Sequence, residues 1–201
     1  MQASRPELLR NGIVLVGHSM GGKIAQVLLD RPETVALVNG VVLLGPAPAG
    51  ALQLPAHMRE VQSKAYESLE SADAVMRSVL IGDIERAGED EIAALVADVV
   101  SGSPGARAAW PLYGMAENFE ATVRLGIRQL EHDTPRALII VGALDQVEPE
   151  AAVRRRVVTT LQEEGVKTEV EVLLGVGHMI PVEAPKEVAQ LIELFLSSLS
   201  G

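Results

Sequence analysis

The residues with the clearest chemical potential are a serine and its glycine neighbours near the start of the chain. Residues 17–22 read Gly-His-Ser-Met-Gly-Gly, which places Ser19 in a G-x-S-x-G pattern. The pattern follows an apolar run at 13–16, which predicts a strand, and precedes a helical pattern over 23–30. In so tight a turn, small neighbours let a strained serine project its hydroxyl above the sheet. The spacing therefore predicts a nucleophile at Ser19, with the backbone N–H of Met20 as an oxyanion donor.

A glycine-rich turn before a helix has a second interpretation, because helix N-termini also bind phosphate groups. Neither G-x-G-x-x-G nor G-K-[ST], the patterns that accompany nucleotide phosphates, occurs at this turn. A nucleotide-binding α/β protein is therefore the weaker hypothesis.

A nucleophilic serine needs a base, and the chain has four histidines, at positions 18, 57, 132 and 178. His18 adjoins the serine, so we expect its side chain to point elsewhere, and His57 and His132 fall in or beside a predicted insertion. His178 follows the last predicted strand in the sequence Gly-Val-Gly-His-Met. It should lie at the same carboxyl edge of the sheet as Ser19, which makes it the candidate base. A histidine that only fills a loop is the alternative.

The third candidate is a carboxylate that would hold the imidazole in the required tautomer. Asp145 follows the third predicted strand in Gly-Ala-Leu-Asp. Glu148 and Glu150 come soon after it and could take its place, and an aspartate that only caps a turn is the other alternative. The chain order serine, aspartate, histidine is the order expected for this strand-turn-helix architecture.

Four strand-length apolar runs supply the elements that would position these residues. They cover residues 13–16, 41–44, 137–141 and 170–174. Nearly continuous apolar runs are typical of parallel strands that are covered on both faces. Helical patterns alternate with them over 23–30, over 151–164 and after Pro185. The chain is therefore predicted to have an α/β fold with a mostly parallel, open sheet and right-handed crossovers.

The segment 51–134 interrupts this alternation, because it is far longer than the dozen or so residues that a crossover between parallel strands needs. Its helical patterns, over 58–69, 72–80 and 91–100, predict a helical cap inserted into a core made of residues 1–50 and 135–201. Such a cap would contact a substrate. The candidate wall residues are the large apolar or adaptable ones, although each could equally pack the cap helices together. They are Met58, Met76, Trp110, Leu112, Tyr113 and Met115.

Composition narrows the classes of partner. Lys and Arg number 17 against 27 Asp and Glu, giving a formal charge of −10, which disfavours nucleic acid and anionic membranes as partners. Apolar residues make up 48% of the chain without a run of membrane-spanning length. The absence of cysteine excludes disulfides and thiolate metal sites. The first twelve residues lack the apolar stretch of a signal peptide, which predicts a cytoplasmic protein.

At these motifs the chain resembles the α/β-hydrolase superfamily, in the branch of esterases, lipases and cofactor-free haloperoxidases with G-H-S-M-G-G turns. Ser19, Asp145 in G-x-x-D and His178 in G-x-G-H match its three motifs. Serine at the nucleophile position points away from the epoxide hydrolases and haloalkane dehalogenases. The resemblance implies hydrolysis of small carboxylic esters, thioesters or lactones through an acyl-enzyme, without a metal or an organic cofactor.

The chain also departs from that superfamily, whose members place about four strands before the serine turn, where this chain has residues 1–18. The resemblance therefore implies the second half of the family's sheet, with 13–16 as an edge strand. An apolar edge predicts self-association, complementation by another polypeptide or poor solubility. A non-catalytic remnant or ligand-binding module that keeps the three residues is the alternative function.

Overall fold

The protein is built on a parallel sheet of four strands in the order β1-β2-β3-β4. The computed structural model describes residues 12–31, 34, 37–130 and 134–199. The strands are β1 Ile13–His18, β2 Val38–Leu44, β3 Arg136–Gly142 and β4 Thr168–Leu173. Each overlaps its predicted run, so the α/β fold class and the parallel arrangement are confirmed.

The register of the strands aligns their carboxyl ends along one edge of the sheet. His18 pairs with Leu44 across β1 and β2, and Leu44 pairs with Ile140 across β2 and β3. Gly142 then pairs with Leu173 across β3 and β4. The loops that follow the strands therefore begin side by side, as required for residues far apart in the chain to meet there.

Helices cover both faces of the sheet. On one face lie α1 (Met20–Val27, extended by a 3-10 turn Leu28–Asp30), the helix Glu120–Arg128 and a helical stretch over 150–163 with a π-helical turn at Arg154–Val158. On the other face lie the short helix Ile180–Glu183 and the long helix Pro185–Leu199. Each face has its own buried aliphatic cluster, centred on Val41, Leu43 and Ile139 in one case and on Val42, Leu138 and Ile140 in the other. Alternate residues of the same strands therefore serve both cores.

The segment between β2 and β3 is helical, as its patterns predicted. Its helices are α2 Ala56–Lys64, α3 Leu69–Val75 with a π-helical turn Met76–Leu80, α4 Ile84–Ala87, α5 Glu89–Ser101, α6 Pro104–Ala109 with a π-helical turn Trp110–Gly114, and α7 Glu120–Arg128. The helix predicted over 58–69 was wrong at its end, because Ser68 caps the next helix through a reciprocal pair of hydrogen bonds with Ser71.

Within this segment, Ala72, Met76, Ile81 and Ile92 belong to a buried cluster of their own. Helix α7 packs elsewhere, because its Val123 belongs to the buried cluster on one face of the sheet. The division into a core of 1–50 and 135–201 and a cap of 51–134 stays a prediction. None of the helices in the described part of the chain is both long enough and apolar enough to cross a membrane.

After β3 the helices are α8 Glu150–Val153, which continues through the π-helical turn, α9 Thr159–Glu163, α10 Ile180–Glu183 and α11 Pro185–Leu199. The helix predicted over 151–164 is confirmed, apart from the π-helical turn within it. The helix predicted over 23–30 begins earlier, at Met20, directly after the candidate nucleophile.

Candidate active site

Ser19 occupies a strained turn between β1 and α1. Its φ of 52° and ψ of −118° make it the one non-glycine residue with positive φ in the described part of the chain. Such a conformation costs about 1 to 3 kcal/mol and persists only where the surroundings enforce it. Here the N–H of Ser19 donates to the carbonyl of Leu44 at 2.9 Å, and its carbonyl accepts from Ala47 at 3.0 Å, so these bonds hold the turn at the carboxyl edge of the sheet.

Close backbone contacts explain which glycines this turn requires. A Cβ on Gly17 would lie 2.3 Å from the carbonyl oxygen of Gly21, and one on Gly22 would lie 2.6 Å from Cβ of Pro46. A Cβ on Gly21 would meet nothing within 4 Å. The steric requirement for glycine therefore lies at Gly17 and Gly22, whereas the second glycine of the G-x-S-x-G pattern has open space.

The structure brings together the three residues that the motifs singled out. Nε2 of His178 lies 2.9 Å from Oγ of Ser19, and Nδ1 of His178 lies 2.8 Å from Oδ2 of Asp145. A carboxylate can only accept, so Nδ1–H donates to Asp145. Nε2 is then left with its lone pair towards Ser19, whose hydroxyl donates to it. This is the tautomer that a base for the serine proton requires.

Asp145 is held on both of its oxygens. Oδ1 accepts hydrogen bonds from the backbone N–H groups of Val147 at 2.8 Å and Glu148 at 2.9 Å, which leaves Oδ2 for His178. Burial by itself raises the pKa of Asp145, but the hydrogen bond and charge of His178, with the two N–H donors, hold that pKa below its ordinary value. Asp145 therefore remains a carboxylate, and among the three acidic candidates it is the one in contact with His178.

The other histidines lie apart from this arrangement or serve it indirectly. Nε2 of His18 lies 2.8 Å from the backbone carbonyl of His178 and donates to it, and the centroids of the two imidazole rings lie 5.1 Å apart. Burial lowers the pKa of His18, which keeps the ring neutral in spite of that hydrogen bond. His57 is exposed on α2, and His132 lies outside the described residues.

Met20 is the first residue of α1, immediately after Ser19. Its backbone N–H belongs to the first turn, where no preceding helical carbonyl can accept it, and it lies at the positive end of the helix dipole. This position agrees with the predicted role of Met20 as an oxyanion donor, a role that stays a prediction.

A cavity of about 350 Å³ lies between α1 and the segment that contains Trp110. Met20, Ile24 and Trp110 contribute apolar wall, and Phe119 lines it as well. Of the other predicted wall residues, Met58, Leu112 and Tyr113 are exposed, whereas Met76 and Met115 are buried. Helix α2, which carries Met58, packs against the π-helical turn of Trp110 and Tyr113. Trp110 is thus the wall candidate that the structure places in a cavity beside the serine turn.

Lys23 is a buried cation in the floor of this cavity, and the motifs did not single it out. Its Nζ donates to three backbone carbonyls, those of Gly50 at 3.3 Å, Gly114 at 3.0 Å and Glu117 at 2.6 Å. Burial lowers the pKa of Lys23. These bonds fasten α1 to Gly50, which follows β2, and to residues 114–117, which precede α7. No local pattern predicts them, because the partners lie far away along the chain.

Glu148 is a second buried ionisable residue next to the site, with 4% of its surface exposed. Burial raises the pKa of Glu148 to about 7, against the lowering effect of Arg156, and the charge of Asp145 raises it further. The described residues contain no cluster of three His, Cys, Asp or Glu side chains that could hold a metal ion.

The raised pKa of Glu148 predicts a specific dependence of stability on pH. Between 4.5, the ordinary value, and about 7, the folded protein keeps a proton that the unfolded chain has lost, so the free energy of unfolding should fall as pH rises. Over that window Glu148→Gln should gain about 3 kcal/mol relative to the wild type. Urea denaturation at several pH values would measure this gain, with Glu150→Gln, at a partly exposed position, as the control. A constant difference between Glu148→Gln and the wild type would contradict the prediction.

The sequence model described as the alpha/beta hydrolase family matches residues 3–191. No curated protein sequence matches the chain significantly.

Solved structures share the fold at low sequence identity. A bacterial membrane phospholipase A, described as a virulence factor, is 18% identical with a TM-score of 0.68, over 98% of this chain and 60% of its own. A thermophilic esterase from Thermogutta terrifontis, solved with malate bound, is 21% identical with a TM-score of 0.73, over 97% of this chain and 68% of its own. A bromoperoxidase from Bacillus anthracis is 18% identical with a TM-score of 0.72, over 96% of this chain and 70% of its own. The chain thus spans between 60% and 70% of the length of these three structures.

Proposed function

Because this chain belongs to the alpha/beta hydrolase family, we propose that it hydrolyses small carboxylic esters, thioesters or lactones through an acyl-enzyme on Ser19. The observation that carries the proposal is the series of hydrogen bonds from Ser19 to His178 to Asp145, at 2.9 Å and 2.8 Å. The strained backbone of Ser19 supports it, because strain of this kind clusters at functional sites.

In the acylation step, Oγ of Ser19 attacks the carbonyl carbon while Nε2 of His178 takes the hydroxyl proton. Asp145 stabilises the resulting imidazolium through Nδ1–H. The tetrahedral oxyanion receives a hydrogen bond from the Met20 N–H at the start of α1. When the intermediate collapses, the bond to the alcohol or thiol breaks, and the leaving group takes the proton from His178.

In the deacylation step, water takes the place of the leaving group. His178 removes one proton from the water, the hydroxide equivalent attacks the acyl carbon, and the second collapse returns the proton to Oγ of Ser19. The carboxylic acid then departs. The cavity next to Met20 is lined by apolar residues and also by Lys23, Arg31 and Glu117, so a substrate that extends into it would meet both apolar and charged groups.

A fluorophosphonate probe tests this proposal without knowledge of the substrate, because it reacts with an activated serine. We expect the wild-type chain to be labelled at Ser19, as located by mass spectrometry of the peptides, and Ser19→Ala and His178→Ala to remain unlabelled. A folded wild-type chain that is not labelled would overturn the proposal and favour the alternative, a ligand-binding module that keeps the three residues without catalysis.

We also propose that the chain associates with a second copy of itself through β1. Among the described residues β1 pairs with β2 alone, so its outer edge has no neighbouring strand there. Val16 on this strand is 55% exposed, and Ile24 on the adjacent α1 is 53% exposed. An apolar strand edge of this kind is a template for pairing.

A charge placed on this edge should prevent the association. Analytical ultracentrifugation should find the wild type as a dimer or larger, whereas Val16→Lys should shift it towards the monomer, because pairing would bury the added charge. Leu194→Lys on α11, where Leu194 is also exposed, is the matched control and should leave the mass unchanged. A monomeric wild type at tens of micromolar would contradict the proposal.

A further inference from the structure

Glu183 is a buried carboxylate that the mechanism above does not use. It ends α10, five residues after His178, and is 3% exposed. Its Oε2 accepts three backbone hydrogen bonds, from Gly177 at 2.9 Å, Gly82 at 2.9 Å and Asp83 at 3.1 Å. One oxygen therefore joins the loop that carries His178 to residues 80–83, which we call the cap junction.

Other contacts tie the main chain of His178 to the same junction. The carbonyl oxygen of Leu80 accepts from the N–H groups of His178 at 2.7 Å and Met179 at 3.1 Å. Gly82 and Gly177 approach so closely that a Cβ on Gly177 would lie 2.3 Å from the Gly82 nitrogen. The position of the His178 backbone therefore depends on the cap junction as well as on β4.

The other oxygen of Glu183 distinguishes this group from an ordinary buried hydrogen-bond acceptor. Oε1 is buried and has no hydrogen-bond partner among the residues that the structure describes. A buried polar atom without a partner costs free energy, so its presence calls for a compensating role. The three hydrogen bonds to Oε2 account for this cost if the protein requires the His178 loop and the cap junction to be held together.

We infer that Glu183 is a positioning residue that sets the distance between His178 and Ser19 by fastening the His178 loop to the cap junction. This inference rests on the proposed function. It follows from geometry, because Gly177 directly precedes His178, and a shift of Gly177 moves the imidazole. A displacement of about 1 Å at a catalytic group can cost about 100-fold in rate.

Two substitutions at Glu183 distinguish the effect of its side-chain length from the effect of its charge. In Glu183→Gln the amide oxygen keeps the position and the three bonds of Oε2, while its NH₂ group takes the place of the unpartnered Oε1. Glu183→Asp keeps the charge but shortens the side chain by about 1.5 Å, so its oxygen cannot reach all three donors. A positioning role therefore predicts a nearly normal glutamine variant and an impaired aspartate variant, whereas a purely electrostatic role predicts the reverse.

A matched control tests whether Glu183 only attaches the cap. Arg86 on α4 donates to Glu187 on α11 at 2.8 Å, which links the same two parts of the molecule at the surface. Arg86→Ala loosens this link without touching the His178 loop. If attachment alone mattered, Arg86→Ala and Glu183→Asp would have similar effects.

The test measures kcat and KM for a nitrophenyl ester, the rate of fluorophosphonate labelling, and the downfield Nδ1–H proton resonance of His178, assigned by its absence in His178→Ala. For Glu183→Asp we expect kcat and the labelling rate to fall about 10- to 100-fold with little change in KM, and the resonance to shift or broaden. Glu183→Gln and Arg86→Ala should stay near the wild type in all three measurements.

Normal kcat and an unchanged resonance in folded Glu183→Asp would overturn the inference, as would an equal loss in Arg86→Ala. The proposed function fails separately, through a wild type that is not labelled. In that case the resonance alone decides: a change in Glu183→Asp without one in Glu183→Gln supports positioning, and no change in either overturns it.

Discussion

Ser19→Ala and His178→Ala should each reduce ester hydrolysis by about 10⁴- to 10⁶-fold. Ser19 supplies the attacking oxygen, and Nε2 of His178, 2.9 Å away, removes its proton. The attack on the ester therefore needs both residues. For the same reason the double substitution should be little worse than either single one. Steady-state rates with a nitrophenyl ester, measured on folded variants, would check both expectations.

His57→Ala is the matched control, because His57 is exposed on α2 and has no hydrogen bond to the site. It should keep the wild-type rate. A loss in His57→Ala equal to that in His178→Ala would show that the base has been assigned to the wrong histidine. Full activity in Ser19→Ala would exclude the acyl-enzyme route.

Asp145→Asn should cost about 10⁴-fold in turnover through a change of tautomer. Oδ1 of Asp145 accepts from two backbone N–H groups, so the oxygen of an asparagine must take that position. Its NH₂ group then faces Nδ1 of His178, which must become the acceptor. The ring proton moves to Nε2, which can no longer accept the proton of Ser19.

The change of tautomer in Asp145→Asn should also be directly observable. The side chains should stay in place in Asp145→Asn, with the His178 proton observed on Nε2 by nitrogen NMR. Glu150→Gln should behave as the wild type, because Glu150 pairs with Arg154 on the surface and not with His178. Wild-type turnover in Asp145→Asn would show that the carboxylate does not control the tautomer.

Much of the candidate site could be predicted from local sequence, because its three residues lie at the ends of strands. Ser19, Asp145 and His178 each follow an apolar run, and parallel strands align their carboxyl ends at one edge. Three motifs far apart in the chain could therefore be placed near one another without knowledge of any contact. The roles of the three residues in catalysis stay part of the proposed function.

Helix boundaries were less predictable, because capping and packing compete with periodicity. The apolar pattern over 58–69 continues past Lys64, yet Ser68 and Ser71 start a new helix there. The helix after Ser19 begins at Met20, because Ser19 alone connects the end of β1 to the start of α1. A periodicity that begins at Lys23 does not contain that information.

The strands, their alternation with helices and the three residues at the carboxyl edge could all be predicted from local sequence, because apolar periodicity and turn glycines act over a few residues. The contacts that hold those three residues in place became visible only in the folded chain. Lys23 bonds to Glu117, His18 to His178 and Glu183 to Gly82, and each pair joins distant parts of the chain. Whether a buried polar side chain finds such a partner depends on how the helices pack against the sheet, and no short stretch of sequence encodes that packing.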